Sequence, residues 1–200
     1  MIPSLLPLTD IPQPLDPVPL DKAYRLLNHG PTVLVSCRHA GVDNVMAAAW
    51  VCVLDFLPPK LTLVLDKASH TRAMIEQAGQ FVVQIPTVAQ RDLTLAVGSV
   101  SLAEDADKLR HAGVQLLAVP AVDQPLVAGC SAYLLCRLIA EPHNQQTYDL
   151  FIGEVTAAWA DPAVFRDGHW QFENADPALR SLHHVAGGHF YAIGESVGEA

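Results

Sequence analysis

Apolar residues along this chain gather in short, dense runs rich in valine and leucine. They do not follow the three- and four-residue spacing of long amphipathic helices. The runs at residues 32–37, 45–54, 61–66 and 81–85 are separated by turn or helix signals and predict β-strands. Longer runs at 131–140 and 147–158 predict two more, in which Arg137 and Glu154 interrupt otherwise apolar faces. A charge in such a strand is either exposed at an edge or paired. Helical punctuation lies between the strands. Asp21 opens a short helix through Leu27 that Asn28-His29-Gly30-Pro31 stops, and residues 69–78 form a helix ended by Gly79. Thr87-Val-Ala-Gln90 and Ser101-Leu-Ala-Glu104 read as capping boxes, opening runs that end at Gly98 and Gly113.

Strands in this order, with helices inserted between them, predict a mainly β, mostly antiparallel architecture, most economically one closed sheet. No regular repeat or low-complexity linker divides it. Residues 161–180 are polar and turn-rich and read as a surface excursion before a final segment at 183–194. The first twenty residues hold six of the fifteen prolines, Pro3, Pro7, Pro12, Pro14, Pro17 and Pro19. They predict an extended arm over residues 1–20 that drapes on a neighbouring surface, which a partner subunit could supply, ahead of a domain at 21–195.

Composition narrows the function classes. Half of the 200 residues are apolar, enough for the core of one domain without covalent staples. The four cysteines, Cys37, Cys52, Cys130 and Cys136, form no Cys-x-x-Cys pair, and their apolar neighbours suggest buried thiols in a reducing, cytoplasmic setting. A formal charge of -9 with scattered basic residues argues against nucleic acid and anionic lipid. The N-terminus lacks a basic leader, and the apolar runs are interrupted by Asp55, Pro120 or Arg137, so neither export nor membrane spanning is expected.

The most informative chemistry lies between residues 44 and 71. Ala47, Ala48 and Ala49 are minimal side chains beside Trp50, where a flat ligand can approach backbone amides. Lys67, Ser69 and Thr71 place a cation and two hydroxyls where a strand gives way to a helix, whose free N–H groups favour an anion. Taken singly, these are also the marks of a tight packing site and a helix cap. Their order suggests a ligand with a planar group and a phosphate. Rival sites are weaker. No Gly-x-Gly-x-x-Gly and no phosphate-binding loop is present. His183, His184 and His189 invite a metal reading, but adjacent histidines on a strand point to opposite faces, so no metal site is expected. Ser131, His143 and Asp149 lack the Gly-x-Ser-x-Gly elbow of a hydrolytic nucleophile.

The stretch from Asn44 to Trp50, Pro58-Pro59, and Lys67-Ala-Ser-His-Thr71 resemble the flavin reductase-like family, FMN-binding split β-barrels that include flavoredoxins. The resemblance extends through Gly79-Gln-Phe-Val-Val-Gln-Ile-Pro86, Phe151-Ile-Gly-Glu-Val155 and His189-Phe-Tyr-Ala-Ile-Gly194. It implies an antiparallel FMN-binding split barrel, a homodimer with FMN near the shared interface, and oxidoreductase chemistry fed by NAD(P)H or a protein electron donor. Ala47, Ala48, Ala49 and Trp50 would line the isoalloxazine, and Lys67, Ser69 and Thr71 would hold the phosphate, with His70 and His189 as additions. One departure concerns the reaction. Many of these reductases carry Gly-Asp-His where this chain reads Gln146-Thr147-Tyr148, and Tyr148 carries no charge near neutral pH. That leaves two functions open, an FMN-dependent enzyme and a non-enzymatic electron carrier, and leaves the catalytic residues unassigned.

Overall fold

The computed structural model describes residues 13–117, 119 and 122–198. Its strands are β1 (Asp16–Pro17), β2 (Val33–His39), β3 (Val42–Ala48), β4 (Val51–Phe56), β5 (Pro59–Val64), β6 (Gln80–Ile85), β7 (Leu116–Leu117), β8 (Leu126–Val127), β9 (Ala132–Ile139), β10 (Leu150–Ala160), β11 (Phe165–Arg166), β12 (His169–Trp170), β13 (Leu182–Val185) and β14 (His189–Ala192). The helices are α1 (His70–Ala78), α2 (Arg91–Ser99), α3 (Lys108–His111) and α4 (Pro142–Tyr148). The main sheet runs β3-β2-β6-β9-β10-β5-β4, with β1 added on β10, and its pairings are antiparallel.

The two edge strands, β3 and β4, are joined by only two residues, Ala49 and Trp50. A seven-strand order whose ends are that close along the chain has to curl back on itself, leaving a split between β3 and β4. This is why the apolar run at 45–54 is two strands and not one. Up to Ala48 it pairs with β2, and from Val51 it pairs with β5 at the opposite edge. Both faces of β2 and β6 are covered. Val33, Val35, Phe81 and Val83 enter one apolar cluster, while Leu34 and Val82 enter a second. Strands buried on both faces read as continuous apolar runs, which is the pattern of the sequence. Gly153 on β10 makes room for the Phe81 ring, since a Cβ there would sit 2.7 Å from its Cζ. Arg137 and Glu154 are cross-strand partners joined at 2.9 Å.

Several local expectations change. Residues 20–26 form a 3-10 segment instead of an α-helix. Thr87 and Gln90 make their reciprocal cap, whereas at Ser101 only the Glu104 half forms, the Ser101 hydroxyl accepting instead from the Ala103 amide in a turn with no helix attached. Thr147 and Tyr148 close α4, and Asp149 in the left-handed conformation turns the chain into β10. Cys52 faces solvent on β4, while Cys37, Cys130 and Cys136 are buried, and burial pushes the Cys37 thiol up to about 12 and the other two higher still. Residues 1–12 of the arm lie outside the described residues. The part from Gln13 on packs against its own chain: Gln13 donates to Cys130 and Asp161, Leu15 is buried, and β1 pairs with β10.

The excursion at 161–180 is polar in composition yet anchored by aromatics. Phe165 and Phe172 are buried, Trp170 stacks on Phe172 at 4.7 Å, and its indole N–H donates to the Arg25 carbonyl at 2.8 Å. Among the described residues no helix is long and apolar enough to cross a membrane.

Candidate functional site

Helix α2 lies along β3, and the closest approach is at Gly98, where a Cβ would fall 3.1 Å from the Cβ of Ala47. Two clefts meet at this waist, with Gly98 and Ser99 lining both. The first, about 260 Å³, is formed by Ala47, Ala48 and Ala49 of β3 and its exit, by Thr94 and Leu95 of α2, by Thr32, and by His184 and Phe190 from the β13–β14 hairpin. It is mostly apolar, and the three alanines leave the β3 backbone uncovered by bulky side chains. The Thr94 hydroxyl is buried beside it without a hydrogen-bond partner.

The second cleft, about 310 Å³, is lined by more charged and hydroxyl side chains. Asp66, Ala68, Ser69, His70 and Thr71 bring the start of α1 to one side; Val100, Leu102, Glu104 and Lys108 form the other. Ser69 is the N-cap of α1 but spends no side-chain bond on the helix; its hydroxyl lies 3.5 Å from Met46 sulfur. The first amides of α1 are therefore left for a ligand. Thr71 accepts a hydrogen bond from Asn44 at 2.9 Å, which fixes its hydroxyl and keeps its proton available. Asp66 and Glu104 already accept from the backbone amides of Ala68 and Ser101.

The cation at this cleft is Lys108, and its setting is unusual. The residue is 4% exposed, burial lowers its pKa, and among the described residues no carboxylate pairs with it. A partly desolvated ammonium gains more from a bound anion than a solvated one does.

The residues singled out from sequence are thus divided. Ala47, Ala48 and Ala49 line the first cleft, and Ser69, His70 and Thr71 the second. Lys67, Trp50 and His189 line neither. Lys67 is exposed and lies 3.9 Å from Asp149, which is already held by Arg72; Trp50 is 75% exposed at the β3–β4 link; His189 points to solvent. The histidine that does reach the cleft is His184. Its neighbour His183 points the other way, to Ser181 and the Gly30 carbonyl, as strand alternation requires. Among the described residues no three histidine, cysteine or acidic side chains gather as metal ligands. Tyr148 also lines neither cleft; it is exposed at the end of α4 with its ring edge-on to His143. Lys108 and Thr94 carried no sequence signal, and Phe190 only its place in the His189–Gly194 motif, because each reaches the site through the path of the chain.

The chain is similar to known proteins over most of its length. Residues 25–178 match the family model described as flavin reductase like domain. The uncharacterized protein YddH of Escherichia coli (strain K12) is 43% identical over 184 residues, covering 90% of this chain and 96% of YddH. Among solved structures, an FMN-binding domain of a flavin reductases-like enzyme from Shewanella baltica OS155 is 62% identical, with a TM-score of 0.92, covering 94% of this chain and 98% of that one. Flavoredoxin of Desulfovibrio vulgaris (Miyazaki F) is 26% identical with a TM-score of 0.73, covering 86% and 90%. With that family match spanning most of its length and the split barrel beneath it, the chain belongs to the flavin reductase like domain family.

Proposed function

We propose that this protein is an FMN-binding oxidoreductase of the flavin reductase-like class. The observation that carries the reading is Lys108, a largely buried side chain that forms no ion pair among the described residues and lines the second cleft together with the start of α1. A phosphate satisfies both at once, accepting from the helix amides and from the hydroxyls of Ser69 and Thr71. Gly98 would border the part of the cofactor next to that phosphate, and Ala47–Ala49 would hold its planar head. When bound, the isoalloxazine supplies the redox chemistry. The protein's part is to hold it, exclude water with His184 and Phe190, and set its electrostatics.

The experiment is an absorbance spectrum of the purified protein followed by anaerobic addition of NADH or NADPH. A flavin spectrum that bleaches on addition supports a reductase; one that stays oxidised until a protein donor is added supports an electron carrier, the second reading. The carrier reading is favoured by Tyr148, an uncharged group at the position of the family's reductase histidine and outside both clefts. Absence of any flavin after incubation with FMN would remove both.

The same reading includes a homodimer. Trp50, Leu54, Phe56 and Leu57, all more than half exposed, put large apolar side chains on edge strand β4 and its flanking turns. Edge strands with such a face invite pairing with a second copy. Light scattering at micromolar concentration gives twice the chain mass if it forms.

A further inference from the structure

The wall of the first cleft is not part of the barrel. His184 and Phe190 reach it from the β13–β14 hairpin, which turns at Gly187 and Gly188 and is held at its foot. There the Leu182 carbonyl accepts from Thr32, the His184 amide donates to the Thr32 hydroxyl at 2.7 Å, and His183 is fixed between the Gly30 carbonyl (3.1 Å) and the Ser181 hydroxyl (3.0 Å).

Behind His183 lies His29. Its ring is buried, edge-on to His183 at 5.7 Å and to Trp170 at 5.1 Å, with Phe172 at 5.9 Å, and neither ring nitrogen has a hydrogen-bond partner. A neutral imidazole tolerates this box; an imidazolium, with two donors and no acceptor, does not. The groups around it offer no rescue. His183 faces it from the hairpin and repels a positive charge, and the 161–180 excursion presents Trp170 and Phe172, which carry none. On its own segment, Arg25 turns to the Gly168 carbonyl and His169. Arg180, at the foot of the hairpin, is paired with Glu195.

We propose that His29 is a positioning residue for the flavin cleft: neutral, it backs His183 and keeps the hairpin wall closed, and its protonation lets His184 and Phe190 move off the ligand. The inference rests on the flavin reading above for its ligand, but not for the hairpin movement.

The direction follows from where the proton is favoured. Packed, His29 is held down to about 4 by burial and by His183, against an ordinary value of 6.5. The closed state therefore binds the proton less readily than the open one. Closure is fully favoured above about pH 6.5 and is lost as pH falls toward about 4. If His29 regains its ordinary value on opening, the open fraction rises roughly 20-fold between pH 7 and pH 5.

The test uses the full chain, free and reconstituted with FMN. Hydrogen exchange of the amides at 182–192 is followed from pH 7 to pH 5, corrected for intrinsic rates, alongside FMN dissociation. In the unmodified protein both should rise by about tenfold or more. In His29→Phe, which keeps an aromatic ring in the box but cannot titrate, both should rise several-fold less, what remains coming from His183, whose pKa burial also lowers; His29→Leu serves if that variant does not fold. FMN's own phosphate titration is common to all the proteins, so the difference between them is what counts. Flat hairpin exchange in the unmodified protein, or an equal rise in the His29 variants, overturns the proposal. A hairpin that opens with acid only when His29 is present, in a protein that takes up no FMN, upholds the latch and rejects the flavin assignment.

Discussion

Lys67 and Lys108 share a charge and little else. Lys67 sits in the sequence beside Ser69 and Thr71, yet its side chain is 63% exposed and its nearest carboxylate, Asp149, is already engaged by Arg72. Lys108 is 41 residues further on, in a four-residue helix, and the fold delivers it, buried and without an ion pair among the described residues, to the cleft that Ser69 and Thr71 line. Solvated ammonium groups lose little when left alone and so gain little from a new partner. A desolvated one gains much from an anion.

Replacing Arg72, the other buried cation, should have the largest effect. It bonds Asp149, the carbonyls of Leu65 and Gln145, and Glu76, tying α1 to α4 and the start of β10. Arg72→Leu leaves Asp149 with only the exposed Lys67 at 3.9 Å and two carbonyls without this donor, and urea unfolding should show a loss of about 3 kcal/mol. A loss below that of an exposed pair such as Arg137–Glu154 would mean that burial is not what separates these cations.

Lys108→Met comes next. It should weaken FMN by about 2 kcal/mol, roughly 30-fold, because the contact is charge-assisted and shielded from water. Riboflavin, which lacks the phosphate, should bind the variant as well as it binds the parent, or slightly better. Equal losses for the two ligands in a fluorescence titration would move Lys108 out of the phosphate site.

Gly98→Ala leaves both lysines in place and tightens the waist between the clefts. With the new Cβ 3.1 Å from Ala47, helix or strand has to give way, and both ligands should weaken together by about 1 kcal/mol. A change confined to FMN would show that the waist bears on the phosphate and not on the passage.

Lys67→Ala should do least. With Arg72 still on Asp149, FMN affinity should change by less than about 0.5 kcal/mol, the usual scale for an exposed ion pair. A loss matching that of Lys108→Met would reverse the comparison and restore Lys67 to the ligand.

The contrast also marks what was legible in the chain. The strands, the helix ended by Gly79 and the alanine and hydroxyl positions at 47–49 and 69–71 were readable, because periodicity, caps and small residues are local properties. The break at Ala49–Trp50 was not, since an unbroken apolar run gives no sign that its second half belongs to the far edge of the sheet. Nor were Lys108, Thr94, His184 and Phe190, whose place depends on how α2, α3 and the last hairpin fold back over β3. The excursion at 161–180 is polar on average, and that average gives no sign of how Phe165, Trp170 and Phe172 anchor it.

The order of strands has a further consequence, for when the site comes into being. Hairpins β2–β3 and β4–β5 join neighbours in the chain, but β6 must wait for β9, and β5 for β10, some ninety residues later. Pairings of such long range form late and slow the whole reaction. The first cleft waits longer still, since its walls run from Thr32 to Phe190. Until Phe190 has been made and has folded back, β3 and the start of α1 have no first cleft to offer.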